Sequence, residues 1–395
     1  MIRESVKNIL NSLYLIVRWE YMRLTKEQLQ RVKQKYGVSR LWSWSMLNTY
    51  LTSPYEYYLR YILHKPEDRQ DCSYATLGGI CHSIIEDFYS KKIPASEMCS
   101  VFDDGWLTVI DIAELKFDRN DESKNSSISK KYHEDLQHFF KNHTVLNQNL
   151  LLERFVAAKI SNSVLQGYID AVYKDSDGIY TIIDWKTSTK YSGNDIKDKA
   201  GQLIVYAIGL MQSGVPIDKI RICWNFLKYV SISYQLKNGN KKSKDAERYK
   251  IGEAIQPNAK TWLKEYGYAD RAEDILKQLV DTNDIAILPE EVQSKYAISD
   301  CYVYVPLNED LVNEWKNKIS ETISEIESKE IEFATSQDER VFWDSEKSVE
   351  SQSYYFATLS GYSSNVHVPY RMFLERLETR KNGRDIFCNI GTDLE

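Results

Sequence analysis

Within TIIDWKTSTK at 181–190, Asp184 and Lys186 stand two residues apart at the end of a β-branched run. On a strand alternate residues share a face, so this acid and this amine point the same way. They are either two solvated charges at a fraying strand end or half of a metal-dependent hydrolytic site. Upstream, the alternating run VLQGYIDAVYK carries Asp170, and DSDG between the runs reads as a hairpin turn centred on Asp177-Gly178. That hairpin sets Asp170 roughly opposite Ile183 and diagonal to Asp184, within about 5–8 Å. Two carboxylates among Ile169, Ala171, Val172, Ile182, Ile183 and Trp185 resist ionising together unless a cation lies between them. A hard divalent ion taking oxygen ligands resolves the conflict. Lys186, about 7 Å from Asp184 along the strand, then reaches a water or a phosphate oxygen rather than the metal.

A bare D-x-K carries little, since DIK at 195–197 and ESK at 122–124 and 327–329 occur in polar or helical contexts. Two helices add weight. On one, His82 and Glu86 are four residues apart and share a face, just after Gly78-Gly79, a pair that admits close backbone approach. On the other, Gln202 and Tyr206 have the same spacing.

These residues need elements to position them. Residues 1–36 read as helix, with Thr25 and Gln28 as a capping box and Gly37 as terminator. In 44–64, Ser45 caps a first helix that stops before Pro54, and a second helix carries Tyr55, Tyr58, Leu59 and Ile62 on one face. A third helix covers about 76–92. The polar stretch 118–131 reads as a mobile surface loop, followed by the helix KYHEDLQHFFKN. The hairpin comes next, then a helix ending at Gly214 and a long strand to 236. KNGNKKSKDAERYK at 237–250 reads as a net basic hairpin or loop. The last third is mostly helical around a short strand, CYVYVPL. No internal repeat is present. This order implies an α/β or α+β core with helical decoration rather than a doubly wound sheet.

The 395 residues exceed one small core. The formal net charge of −6 argues against coating nucleic acid by bulk charge, yet allows a local basic groove beside acidic metal ligands. The 28 tyrosines serve either as amphipathic packing or as a surface on which bases stack. Cysteines at 72, 81, 99, 223, 301 and 388 form no C-x-x-C, which suits free thiols in a reducing cytosol. The apolar patch near the N-terminus is interrupted by Asn11 and Ser12, so neither a signal peptide nor a membrane span is expected.

In order, these motifs resemble the RecB-like exonuclease branch of the PD-(D/E)XK nuclease superfamily over about 41–210. SMLNTYLTSPYEYYLRYI resembles its N-terminal segment, LGGICH its G-x-x-x-H motif with Gly78 and His82, and GYID its G-x-(I/V)-D motif at Asp170, where Ile169 replaces the Pro of the superfamily name. IIDWKTS matches (D/E)-x-K, and QLIVY matches Q-x-x-x-Y. LLERF at 151–155 resembles a preceding glutamate segment and singles out Glu153.

The resemblance implies a restriction-endonuclease-like mixed sheet flanked by helices, with helical N- and C-terminal elaborations. It implies Mg2+ or Mn2+ held by His82, Asp170, Asp184 and the Trp185 carbonyl, with Lys186 positioning or deprotonating the attacking water and Glu153 assisting. Gln202 and Tyr206 would shape the site and touch DNA backbone. Many members of this branch hold an iron–sulfur cluster through one cysteine near the first motif and three near the C-terminus. Cys301 and Cys388 lie too far apart here, so no iron–sulfur cluster is expected and ordinary packing must hold the tail.

The expected divisions are an N-terminal helical extension (1–40), a nuclease core (41–236), an elaboration packed on it (237–345) and a tail (346–395). The leading function is a metal-dependent deoxyribonuclease acting at DNA ends in recombination, repair or phage DNA processing, in a bacterial or phage-infected cytosol. Residues 1–64 and 118–143 are candidates for recognising an end. Lys241, Lys242 and Lys244 are candidates for phosphate contact. A restriction-like endonuclease uses the same residues, and a non-catalytic DNA-binding subunit would have lost some of them. No helicase phosphate loop is present, so any motor, or a recombinase, is a separate partner.

Overall fold

Residues 23–67, 73–118, 121–342 and 360–362 are described in the computed structural model. The capping box at Thr25 and Gln28 starts α1 (Lys26–Tyr36), and Gly37 ends it at φ 67°. The part of the 1–36 helix expected before Arg23 lies outside the described residues. β1 (Trp42–Ser43) leads into α2 (Trp44–Thr52). Its cap is Ser43, not Ser45: Ser43 accepts from the Met46 N–H, while Ser45 already sits inside the first turn. Ser53 caps α3 (Pro54–Tyr57), which continues through a π-helical turn to Ile62.

α4 (Ser73–Tyr89), α5 (Ala95–Trp106) and α6 (Glu122–Asn142) follow. Most of the stretch expected as a mobile loop, 118–131, is the first half of α6. Asp121 caps that helix by accepting from the Lys124 N–H at 3.0 Å. The polar residues are its solvated face, and Tyr132, Leu136, Phe139 and Phe140 supply the buried stripe that makes it pay as a helix.

The remaining elements are β2 (Leu151–Ile160), β3 (Ser163–Lys174), β4 (Tyr180–Lys186), α7 (Asp195–Asp198), α8 (Gly201–Gln212), β5 (Ile220–Gln235), β6 (Lys241–Glu247), α9 (Ile251–Glu265), α10 (Ala272–Thr282), α11 (Glu290–Gln293), β7 (Tyr296–Val305) and α12 (Glu309–Ser336). The described strands form one mixed seven-stranded sheet. β2 lies antiparallel along one edge of β3. The other edge of β3 is shared: β1 pairs with it in parallel at Leu165 and Gln166, and β4 in antiparallel fashion from Ala171 onward. β5 runs parallel to β4. β4 and then β6 occupy one edge of β5, and β7 the opposite edge. This is the restriction-endonuclease-like arrangement of a mixed sheet flanked by helices.

Three apolar cores organise the helices. On one face of the sheet, α2, α3, α8 and α12 bury Leu47, Leu59, Leu203, Ile204 and Ile319 against Ile169, Ile182 and Ile222. On the other, α4, α5 and α6 bury Ile84, Phe102 and Leu136 against Ala171, Ile183 and Trp185. A third core joins α9, α10 and α11 to Val230 and Ile232 at the far end of β5. The segment 237–345 therefore feeds two cores, because α12 returns to the first.

Of the expected tail, residues 360–362 dock on α3 and the chain after it. Ser360 Oγ donates to Glu56 Oε2 at 3.0 Å, and the Tyr362 hydroxyl donates to the Lys65 carbonyl at 3.0 Å. Arg60, ion-paired to Glu56 and Glu67, lies over the Tyr362 ring. Among the described residues no helix is long and apolar enough to cross a membrane. Cys81, Cys99, Cys223 and Cys301 are free thiols, and Cys72 and Cys388 lie outside the described residues.

Candidate active site

The hairpin register is one residue away from the expected one. Lys174 pairs with Tyr180 and Ala171 with Ile183, so Asp170 comes level with Asp184. The reason is a turn centred on Asp177, in which Asp175 Oδ1 accepts from the N–H groups of Asp177 and Ile179. Pairing of β3 with β4 ends at Ala171, and the two strands part at the carboxylates. Instead of a ladder bond, the Trp185 N–H donates to Asp170 Oδ2 at 2.9 Å. Strict alternation also breaks here: Ile169 and Val172 belong to one core and Ala171 to the other.

Into the fork come the other expected residues. α4 brings His82, which donates from Nε2 to the Trp185 carbonyl at 2.9 Å and holds Nδ1 3.6 Å from Asp170 Oδ2. Burial pushes this imidazole down to about 4, so it is neutral at pH 7 and keeps a lone pair. β2 brings Glu153, which lies across from Asp170 between the pairs Leu152–Ala171 and Arg154–Ile169. Its backbone sits at φ 45°, a left-handed conformation that costs of order 1–3 kcal/mol for a non-glycine residue in a strand. Glu86, one turn after His82, hydrogen-bonds the Glu153 carboxyl. Its partner role was not assigned from the sequence, although the i, i+4 spacing to His82 carried the signal. The Trp185 ring lies in the α4–α6 core, stacked on Tyr89 and edge-on to His82 with centroids 6.0 Å apart, while its carbonyl faces the fork.

The electrostatics follow from crowding acids in a dry place. Asp170 is raised well above the ordinary carboxylate range by burial, and next by Asp184. Burial also raises Glu153, against the pull of Arg23. Lys186 Nζ lies 2.6 Å from Asp184 Oδ2. Burial opposes its charge, but Asp184 and Asp170 outweigh that and hold the ammonium above its usual value. This ammonium is the one partner of the buried Asp184 Oδ2 among the described residues. Lys186 donates to Gln202 Oε1 at 3.3 Å, and Gln202 Nε2 donates to the Tyr206 hydroxyl at 2.9 Å. Tyr206 is only 4% exposed, so it stands behind Gln202 as a support and not at the surface expected to touch DNA. Its ring packs under Gly167, where a Cβ would meet Tyr206 Cε1 at 2.7 Å. A Cβ on Gly78 would meet Thr187 Oγ1 at 3.4 Å, an ordinary contact, and one on Gly79 would face open space, so neither glycine is required here by a close approach.

These residues converge without forming a ready coordination cage, and among the described residues no three His, Cys, Asp or Glu side chains do so. They instead satisfy one another: His82 caps the Trp185 carbonyl and Lys186 neutralises Asp184. A divalent cation fits the donor set nonetheless. The fork offers hard oxygens from Asp170, Asp184 and Trp185 and a neutral imidazole, and the buried Asp184 Oδ2 has a single partner, the Lys186 ammonium, among the described residues.

Two residues without any sequence signal also reach the site. The Leu24 N–H donates to the Tyr168 hydroxyl at 2.7 Å, and Arg23 lies over the Tyr168 ring, 5.7 Å from its centroid. The three candidate lysines of the basic hairpin lie elsewhere. Lys241 and Lys242 pair with Gln235 and Tyr234 at the far end of β5. Lys244 is turned inward over Tyr234, with its ammonium on the Ala254 carbonyl.

No curated protein matches the chain. A family model does match, over residues 41–339, which include the fork and every residue that builds it except Arg23 and Leu24. By that match the chain belongs to the PD-(D/E)XK nuclease superfamily.

Proposed function

We propose that this protein is a RecB-like exonuclease that hydrolyses DNA phosphodiester bonds at ends, in recombination, repair or phage DNA processing. The observation that carries the reading is the fork itself: Asp170, Asp184 and the Trp185 carbonyl meet His82 where β3 and β4 part, with Lys186 beside them. Mg2+ or Mn2+ held by His82, Asp170, Asp184 and the Trp185 carbonyl would polarise the scissile phosphate and supply a nucleophilic oxygen near neutral pH.

The protein's own groups divide the remaining work. Lys186 keeps its proton beside two carboxylates, so it serves to orient the attacking water and to stabilise charge growing on phosphate oxygens. Gln202 fixes the ammonium, and Tyr206 fixes Gln202. Glu153, with its carboxyl raised by burial and hydrogen-bonded by Glu86, is suited to a proton-transfer role. Preference for an end is supported by Arg23 and Leu24, which pack on Tyr168 two residues from Asp170, with Arg23 near enough to Glu153 to pull its carboxyl down.

The test uses end-labelled linear DNA and a circular duplex with Mg2+, Mn2+ or EDTA, for the wild type and Lys186→Ala. Loss of linear DNA with the circle spared is the expected result. Cutting of the circle would make the protein an endonuclease, and cleavage indifferent to EDTA or to Lys186→Ala would reject the site.

A further inference from the structure

The far end of β5 carries a second feature that the catalytic fork does not use. Trp262 and Tyr266 stack one turn apart on α9, with centroids 5.9 Å apart and planes 24° apart. Lys295 lies over both rings, 4.7 Å and 5.5 Å from their centroids. Trp262 is pinned by donating Nε1–H to the Gln235 carbonyl at 2.9 Å, whereas the Tyr266 ring is 37% exposed. The hairpin tip that follows Gln235 adds exposed Lys237, Lys241 and Lys242. Lys237 is ion-paired to Glu265, while Lys241 and Lys242 have no ion-pair partner among the described residues. In a chain of net charge −6, this is a local cationic surface with an aromatic face at its centre.

We propose that this patch binds a single strand of nucleic acid that extends away from the catalytic fork, an inference that rests on the nuclease reading. Three observations support it. An exposed ring held rigid by its neighbours offers a stacking platform to an unpaired base, and lysines beside it track the phosphates. The hairpin-tip lysines and the fork lie along one edge of β5, where Lys186 pairs with Phe226 and β6 takes over toward Gln235, and Lys295 joins them from the β7 edge, its carbonyl accepting the Gln235 N–H at 3.0 Å. Asn225 to Tyr234 on β5 are matched by only six residue steps of β7, Tyr302 to Tyr296, because β5 bulges between Asn225 and Val230, so the stretch covers about 20 Å, which corresponds to about six stacked nucleotides. Lys244 is excluded, because its ammonium is spent on the Ala254 carbonyl.

The test measures affinity by fluorescence anisotropy in the Lys186→Ala background of the full chain. The probes are oligothymidines of roughly four and roughly twenty nucleotides, too short and long enough to span both features, and a duplex of the longer length. The readout is the ratio of long to short affinity. Tyr266→Ala combined with Lys295→Ala should lower that ratio by about tenfold, the scale of one lost base stack, and Tyr266→Phe should preserve it. An unchanged ratio in the alanine variant overturns the proposal, as does a ratio lost equally in Tyr266→Phe. A gain for duplex as large as that for single strand also overturns it. Failure of the cleavage assay rejects the nuclease reading instead, since the affinity ratio does not depend on turnover.

Discussion

Asp170 Oδ2 accepts the Trp185 N–H at 2.9 Å, a bond between a side chain and a neighbouring strand at the point where strand pairing stops. One carboxylate thereby anchors the backbone nitrogen of the residue whose carbonyl faces His82. The fork is held open by a hydrogen bond to the backbone, not by side-chain packing.

Asp170→Asn keeps an acceptor for Trp185 but removes a buried charge that Asp184 and burial both oppose. Cleavage should fall by about 10²–10³-fold. In EDTA the melting temperature should rise by about 2–4 °C, because the crowded acids are relieved. A variant that melts earlier than the wild type in EDTA would show that the carboxylate stabilises the metal-free fold.

Lys186→Met removes the only ammonium ion-paired to Asp184 among the described residues. Cleavage should fall by about 10²–10⁴-fold. The metal-free protein should also melt earlier, and Mg2+ should recover part of that loss. Calorimetry with and without Mg2+ separates the two effects.

Divalent metal should stabilise the wild type, by about 2.7 kcal/mol at a hundred times its dissociation constant. Asp184→Asn should abolish most of that gain and EDTA should reverse it. Thermal melts across a Mg2+ and Mn2+ series report this without any substrate.

Gly167→Ala places a methyl group against Tyr206 Cε1 and should cost about 1–3 kcal/mol. By displacing Tyr206 it disturbs Gln202 and Lys186, so kcat should fall while KM changes little. Tyr206→Phe keeps the ring but removes the acceptor for Gln202. It should lower kcat by about tenfold with little change in stability, as steady-state kinetics and melts will show.

Asp135 tests a site away from the chemistry. Burial pushes its carboxyl up to about 7, although the Tyr249 N–H donates to it at 2.9 Å. The folded state holds this proton more tightly than the unfolded chain, whose value is near 3.9. Its contribution to stability is therefore full below pH 4 and is lost as pH rises toward 7. Asp135→Asn keeps the acceptor and should stabilise the protein at pH 8, with the advantage shrinking toward pH 5. Melts across that range give the sign.

The fold and much of the fork were legible because their signals are local. β3 and β4 alternate, DSDG makes a turn, and His82, Gln202 and Tyr206 keep helical spacing to their partners. The one-residue slip in register was not legible, because Asp175 rather than the Asp-Gly pair organises the turn. Nor was α6, whose polar first half gives no apolar period until Tyr132. Arg23 and Leu24 approach the site only through tertiary packing on Tyr168, which leaves no mark in spacing. The lysines of 237–250 read as basic, yet only the structure shows that Lys244 points inward and that Tyr266 and Lys295 join the others.

Ser360 meets Glu56 across 304 positions of chain. During synthesis at about 5–20 residues per second, the buried carboxylate of Glu56 waits roughly 15–60 s for that hydroxyl to leave the ribosome. Arg60, four residues away and 3.2 Å from Glu56, is the local partner that can hold the charge meanwhile. The nascent N-terminal half thus carries its own provisional counter-ion until Ser360 arrives to share the carboxylate.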